Sequence, residues 1–146
     1  MLIACDIGGV IKDQVTGQPI NGAVDSIRKL QDNNQVIFIS KCKANTMATT
    51  DEWLRKHGLS DIKVYYCTDY SQKAVIASQQ KVDVIIDDKM QVLQAFPDSI
   101  KKLWFCNKKE NIEGAIKHQP EFIRSVTVVQ NWDDVLLSVG TSKMEK

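Results

Sequence analysis

Short apolar runs alternate with longer amphipathic segments from one end of this chain to the other, and that alternation is what most constrains its fold. The runs are Leu2 to Cys5, Val36 to Ile39, Val64 to Cys67, Val82 to Ile86, Leu103 to Cys106 and Val126 to Val129. Most lack the polar-apolar alternation of a strand with one wet face, so they read as strands covered on both faces. Between them the spacing is helical. Val24, Ile27 and Leu30 mark a first helix, ended by Asp32-Asn33-Asn34-Gln35, and Thr46 to His57 forms a second, with Gly58 as the left-handed residue after its end. Shorter helices are predicted around Gln72 to Gln80, Lys89 to Phe96, Ile112 to His118 and Trp132 to Val139. The order predicts a doubly wound, Rossmann-like α/β domain over residues 1–140, built on a mostly parallel sheet of about six strands. A polar, frayed tail is expected at 141–146.

Composition narrows the function. A chain of 146 residues with 43% hydrophobic residues supports one core and has no room for a second domain. Nineteen basic residues against eighteen acidic ones, unsegregated along the chain, exclude the basic stripe of a nucleic-acid or membrane-surface binder. No apolar stretch exceeds six residues, far short of the roughly twenty that span a bilayer. Cys5, Cys42, Cys67 and Cys106 form no C-x-x-C pair and read as reduced thiols, consistent with a soluble cytoplasmic protein. His57 and His118 lie near helix ends without a cysteine neighbour, which argues against zinc. Trp53, Trp104 and Trp132 read as packing residues.

In an open parallel sheet, ligands bind beyond the carboxyl ends of the strands, so the polar residues just past each apolar run carry the chemistry. After the first run comes Asp6-Ile7-Gly8-Gly9-Val10, after the second Ser40, at the start of the third helix Lys73, and after the fourth run Asp87 and Asp88. Each alone has an ordinary explanation as a turn, cap or surface residue, and Lys81 competes with Lys73. Together they supply what phosphoryl transfer through an aspartyl-phosphate needs: a carboxylate nucleophile and groups that neutralise its charge and that of the phosphate. Mg²⁺ suits such an oxygen-rich set, with Asp6, one of Asp87 and Asp88, and a backbone carbonyl as ligands. Gly8 and Gly9 let the chain turn sharply and bring backbone N–H groups toward an anion. Lys41 sits beside Ser40, where it could meet an anionic substrate, although a solvated lysine is the commoner explanation.

LIACDIGGV, VIFIS, SQKAV and DVIIDD, in that order, resemble the four motifs of the haloacid dehalogenase-like hydrolase superfamily. The resemblance spans residues 2 to 88, and VTVVQNWDDVLLSV resembles the closing segment of small nucleotidase-like members. It implies Asp6 as nucleophile, Ser40 as phosphate ligand, Lys73 as the lysine of the third motif, Asp87 and Asp88 as metal acids, and Mg²⁺ as cofactor. The Gly8 carbonyl would be a further metal ligand.

Two departures shape the functional expectation. The superfamily's phosphatases place an acid-base Asp two residues after the nucleophile, where this chain has Gly8. Losing such assistance typically removes about 10²–10⁴-fold in rate, most for poor alkoxide leaving groups and least for acyl or aryl phosphates. The chain also has no inserted cap, only a segment containing Thr16-Gly17-Gln18-Pro19 long enough for a small hairpin flap. The sequence therefore predicts a capless, Mg²⁺-dependent phosphohydrolase. Its substrate would be a phosphorylated small molecule or macromolecule, with a protein partner or oligomer completing the open site. The alternative is a protein of the same fold retired from catalysis, with a binding or regulatory role.

Overall fold

The computed structural model describes the backbone of residues 1–144 and the side chains of residues 1–140. Strands β1 (Leu2–Cys5), β2 (Gln35–Lys41), β3 (Val64–Cys67), β4 (Val84–Asp87), β5 (Lys101–Phe105) and β6 (Thr127–Val129) form one sheet in the order β3-β2-β1-β4-β5-β6, every neighbouring pair parallel. The continuous apolar runs are explained by the packing, because alternate residues feed two cores. Ile3, Cys5, Phe38, Val84 and Ile86 face one of them. It is closed by α1 (Ala23–Gln31), α2 (Ala44–Lys56) and α7 (Trp132–Met144) through Ile27, Leu54, Trp132 and Val135. Ala4, Ile37, Ile39 and Ile85 face the other, covered by α3 (Ser71–Gln79), α4 (Met90–Gln94), α5 (Lys109–His118) and α6 (Pro120–Ser125). Each large apolar side chain buried this way contributes about 1.5–3 kcal/mol before the entropy of ordering it is subtracted.

Most predicted elements fall where expected, and the differences are local. Gly58 takes φ +75° after α2, and the Leu59 N–H returns to the Leu54 carbonyl at 2.8 Å, as a left-handed helix ending requires. The predicted fifth helix is succeeded by another, α6, which helical spacing alone does not separate from it. Gln119 leaves helical geometry (φ −132°, ψ 54°) and Pro120 restarts the helix at its first position, where its missing N–H costs nothing. Helix α7 runs beyond Val139 to Met144, and the remainder of the expected tail, Glu145 and Lys146, lies outside the described residues. All four cysteines are free. No helix among the described residues is long and apolar enough to cross a membrane.

No cap domain is inserted between the strands. The segment between β1 and α1 folds as a small flap. Its Asp13 N–H donates to Gln18 O at 2.8 Å, Gly17 N–H to Asp13 O at 2.8 Å, and Ile20 N–H to Ile11 O at 2.8 Å. Strand order reverses between β1 and β4, so a crevice opens at their carboxyl ends, beneath this flap.

Candidate active site

Register builds the site. Cys5 pairs with Ile86, and the Asp6 N–H donates to Ile86 O at 3.0 Å, which sets Asp6 beside Asp87 at the end of β4. Cys5 also pairs with Phe38, so Ser40 lies two residues further along β2 on the other flank. Lys73, in the first turn of α3, reaches back over the strand ends. Its Nζ lies 3.1 Å from Asp6 Oδ1 and 3.0 Å from Asp87 Oδ2, with only 1% of its side chain exposed. Its competitor Lys81 is exposed at the exit of α3, with φ +60°.

The two adjacent acids have different surroundings. Both oxygens of Asp87 are engaged, Oδ2 by Lys73 and Oδ1 by the Lys89 N–H at 3.0 Å. Asp88 Oδ1 is buried and has no hydrogen-bond partner among the described residues, while the Lys89 ammonium stands 3.9 Å from Oδ2. Asp6, Asp87 and Asp88 each bring one carboxylate oxygen within 4.8 Å of the others. Burial, then the charge of Asp87, raises the Asp6 carboxyl to about 7 despite the opposing pull of Lys73. Burial and Asp87 also raise Asp88. For Lys73, burial favours the neutral amine, but Asp6 and Asp87 outweigh it and keep the ammonium charged.

Three carboxyl groups around one buried ammonium carry more negative charge than it can balance once they ionise. Burial and this excess are why Asp6 and Asp88 hold their protons more tightly than free carboxyls, and Asp88 Oδ1 is left without a partner among the described residues. An all-oxygen set with a charge deficit fits a hard divalent cation. Gly8 adds to it. The bonds of Lys12 N–H to Ile7 O (3.0 Å) and of Gly9 N–H to Lys12 O (2.9 Å) flank Gly8, whose own N–H and carbonyl have no hydrogen-bond partner among the described residues. The Gly9 N–H, expected to face an anion, is thus used inside the turn. Gly9 meets a different demand. Its φ is +82°, and a Cβ there would lie 2.2 Å from Asp88 Oδ2, so only glycine permits this approach.

A cavity of about 220 Å³ opens on the other side of Asp6, lined by Asp6, Gly8, Gln14, Ser40, Lys41 and Lys73, among others. The Ser40 hydroxyl has no hydrogen-bond partner among the described residues. Lys41 is exposed, with Nζ 4.5 Å from the centre of the Tyr70 ring. The structure therefore brings together all eight residues singled out in the sequence: Asp6, Gly8, Gly9, Ser40, Lys41, Lys73, Asp87 and Asp88.

Other contributors were not identified from sequence. Tyr70 lines the same cavity. The three tryptophans brace the rim as well as pack. Trp132 Nε1 donates to Val10 O at 2.9 Å, Trp53 Nε1 to Gly17 O at 2.7 Å and Trp104 Nε1 to Asp88 O at 3.1 Å. A buried indole N–H needs an acceptor, so the tryptophans themselves were the available signal.

With this geometry in hand, comparison with solved structures shows the fold. The chain is similar to D,D-heptose 1,7-bisphosphate phosphatase from Burkholderia thailandensis, with TM-score 0.69 and 15% identity over 94% of this chain and 96% of that one. It is similar to an uncharacterized protein from Listeria monocytogenes serotype 4b, with TM-score 0.65 and 13% identity over 99% of both chains. It is also similar to a de novo designed Rossmann 3x3 fold protein, with TM-score 0.54 and 16% identity over 94% of this chain and 93% of that one. No family model and no curated protein matches the sequence. The class defined is an α/β Rossmann-like fold. That a designed protein shares the architecture means function has to be argued from the site.

Proposed function

We propose that this chain is a Mg²⁺-dependent phosphohydrolase acting through an aspartyl-phosphate on Asp6. The observation that carries the reading is the gathering of Asp6, held by Lys73, with Asp88, one of whose oxygens is buried without a partner among the described residues, at the strand ends. Asp6, Asp88 and the Gly8 carbonyl would hold the cation, while Asp87 holds Lys73. When bound, Mg²⁺ neutralises charge on the transferring phosphoryl group. The chain's own residues do the rest. Lys73 orients Asp6 and offsets its charge, the Ser40 hydroxyl and the Gly8 N–H donate to phosphoryl oxygens, and Lys41 stands at the rim as a further cation. Asp6 attacks phosphorus, the bond to the leaving oxygen breaks, and water later cleaves the aspartyl-phosphate to restore the carboxylate.

No carboxylic acid projects from position 8, so acyl and aryl phosphates should be the better substrates. The open crevice admits a phosphoryl group on a small molecule or a macromolecule, with a protein partner or a second copy of the chain serving as lid. Four free thiols support a cytoplasmic setting. The second reading, a binding or regulatory protein retired from catalysis, is favoured by Gly8 alone. Release of p-nitrophenol from its phosphate ester separates them, since this leaving group needs little protonation. Turnover abolished by EDTA and by Asp6→Asn is expected. A protein whose melting temperature rises with Mg²⁺ but which shows no turnover would support the binding role.

A further inference from the structure

We infer that Gln14 takes over at the position where an acid is missing, its carboxamide orienting the water that attacks the aspartyl-phosphate. This rests on the aspartyl-phosphate chemistry proposed above and goes beyond it by assigning a residue outside the four motifs. A Cβ built on Gly8 would lie 2.9 Å from Gln14 Nε2, 3.2 Å from Cδ and 3.4 Å from Oε1. The amide end of Gln14 thus occupies the space into which a side chain at position 8 would project. It makes no hydrogen bond to any described residue, so its donors and its acceptor are all available. Gln14 lines the cavity that holds Asp6, Ser40 and Lys73, and also a neighbouring cavity of about 540 Å³ that includes Gly9 and Asp88. It therefore stands where the two meet.

The flap fixes the backbone on either side of Gln14, whose side chain is exposed. Asp13 Oδ1 accepts the Val15 N–H at 2.8 Å and the Thr16 N–H at 3.0 Å, and Trp53 anchors Gly17 from α2. A carboxamide neither gives nor takes a proton near neutral pH, but it donates and accepts at once. A glutamine orients the attacking water in the same way in GTP hydrolysis. In the second half-reaction the water donates a hydrogen bond to Gln14 Oε1 while its oxygen attacks phosphorus. The Asp6–phosphorus bond breaks, its electron pair returns to the carboxylate, and the water's proton leaves with the released phosphate. Orientation without proton transfer makes this step slow, so the phosphorylated protein accumulates.

The test is the lifetime of the phosphorylated protein, formed with acetyl phosphate and Mg²⁺ and monitored by intact mass. Gln14→Ala should lengthen it by about tenfold, the effect of one lost hydrogen bond. Gln14→Glu should shorten it, by up to about 10²-fold, because a carboxylate can accept the water's proton. Val15→Ala, on the same flap and 95% exposed, should leave it unchanged. In a Gly8→Asp background, where the new side chain displaces the amide, Gln14→Ala should lose its effect. A phosphoryl adduct whose lifetime is the same in the natural protein, Gln14→Ala and Gln14→Glu overturns the assignment of Gln14 and leaves the aspartyl-phosphate reading standing. Absence of any adduct in the natural protein overturns that reading, and the assignment with it.

Discussion

Asp87 and Asp88 are neighbours in sequence, yet they belong to two differently built halves of one crevice. On the Lys73 side every carboxylate has a partner: Asp6 and Asp87 share one buried ammonium, and the second oxygen of Asp87 takes a backbone N–H. On the Asp88 side a buried oxygen is left without a partner, and the backbone of Gly9 presses against the same carboxylate. A buried polar group without a partner costs about 1–3 kcal/mol and more if charged, so native structures keep one where something else completes it. The first half is held together by partners within the protein, and in the function proposed above a cation would complete the second.

The closed half depends most on Lys73. Replacing it with Met leaves Asp6 and Asp87 buried without a counter-charge, and losing one partner of a buried pair costs about 3–5 kcal/mol. Urea unfolding at pH 8 should show a loss in that range, with part of it returned by Mg²⁺. A loss below about 1 kcal/mol would mean that the acids are solvated and the closed half is not closed.

Next in size is Gly9→Ala, which combines a left-handed backbone penalty of about 1–2 kcal/mol with a Cβ placed 2.2 Å from Asp88 Oδ2. Both terms should appear in the natural background, and only the backbone penalty when Asp88 is also replaced by Ala. That non-additivity, read by denaturant unfolding of the four proteins in the cycle, measures how tightly the turn grips the open half. Equal losses in both backgrounds would show that Asp88 simply swings away.

The two halves were not equally legible in the sequence, because they depend on different things. The strands and the gathering of Asp6, Ser40, Lys73 and the Asp87-Asp88 pair were legible because unbroken apolar runs mark doubly covered strands, and parallel register then aligns the residues at their carboxyl ends. The division of labour between Asp87 and Asp88 was not. It depends on β4 ending at Asp87 and on the reach of Lys73, and neither is written into the residue order. Gln14 and the tryptophan N–H groups were hidden for a related reason. Trp132 meets Val10 across 122 residues, a contact that only the finished fold creates. The start of α6 was marked by Pro120, a signal the helical spacing alone did not weigh.

A small gain in stability is expected at Asp88. Asp88→Asn removes one buried negative charge beside Asp87 and Asp6, so the metal-free protein should become more stable by up to about 1 kcal/mol, while the Mg²⁺-dependent rise in melting temperature disappears. The pH dependence should move with it. The folded-state pKa of Asp6, about 7, stands above the unfolded value of 3.8, so the folded state binds the extra proton between them. This group's contribution to stability is therefore greatest at low pH, falls as pH rises from about 4 to about 7, and is level above that. Since Asp88 is one of the charges raising Asp6, Asp88→Asn should shift the fall to lower pH. Melting curves of the metal-free protein across pH 4 to 8 read both effects. If Asp88→Asn instead destabilises the metal-free protein at pH 8, the orphaned oxygen has a structural partner after all, and the two halves are alike.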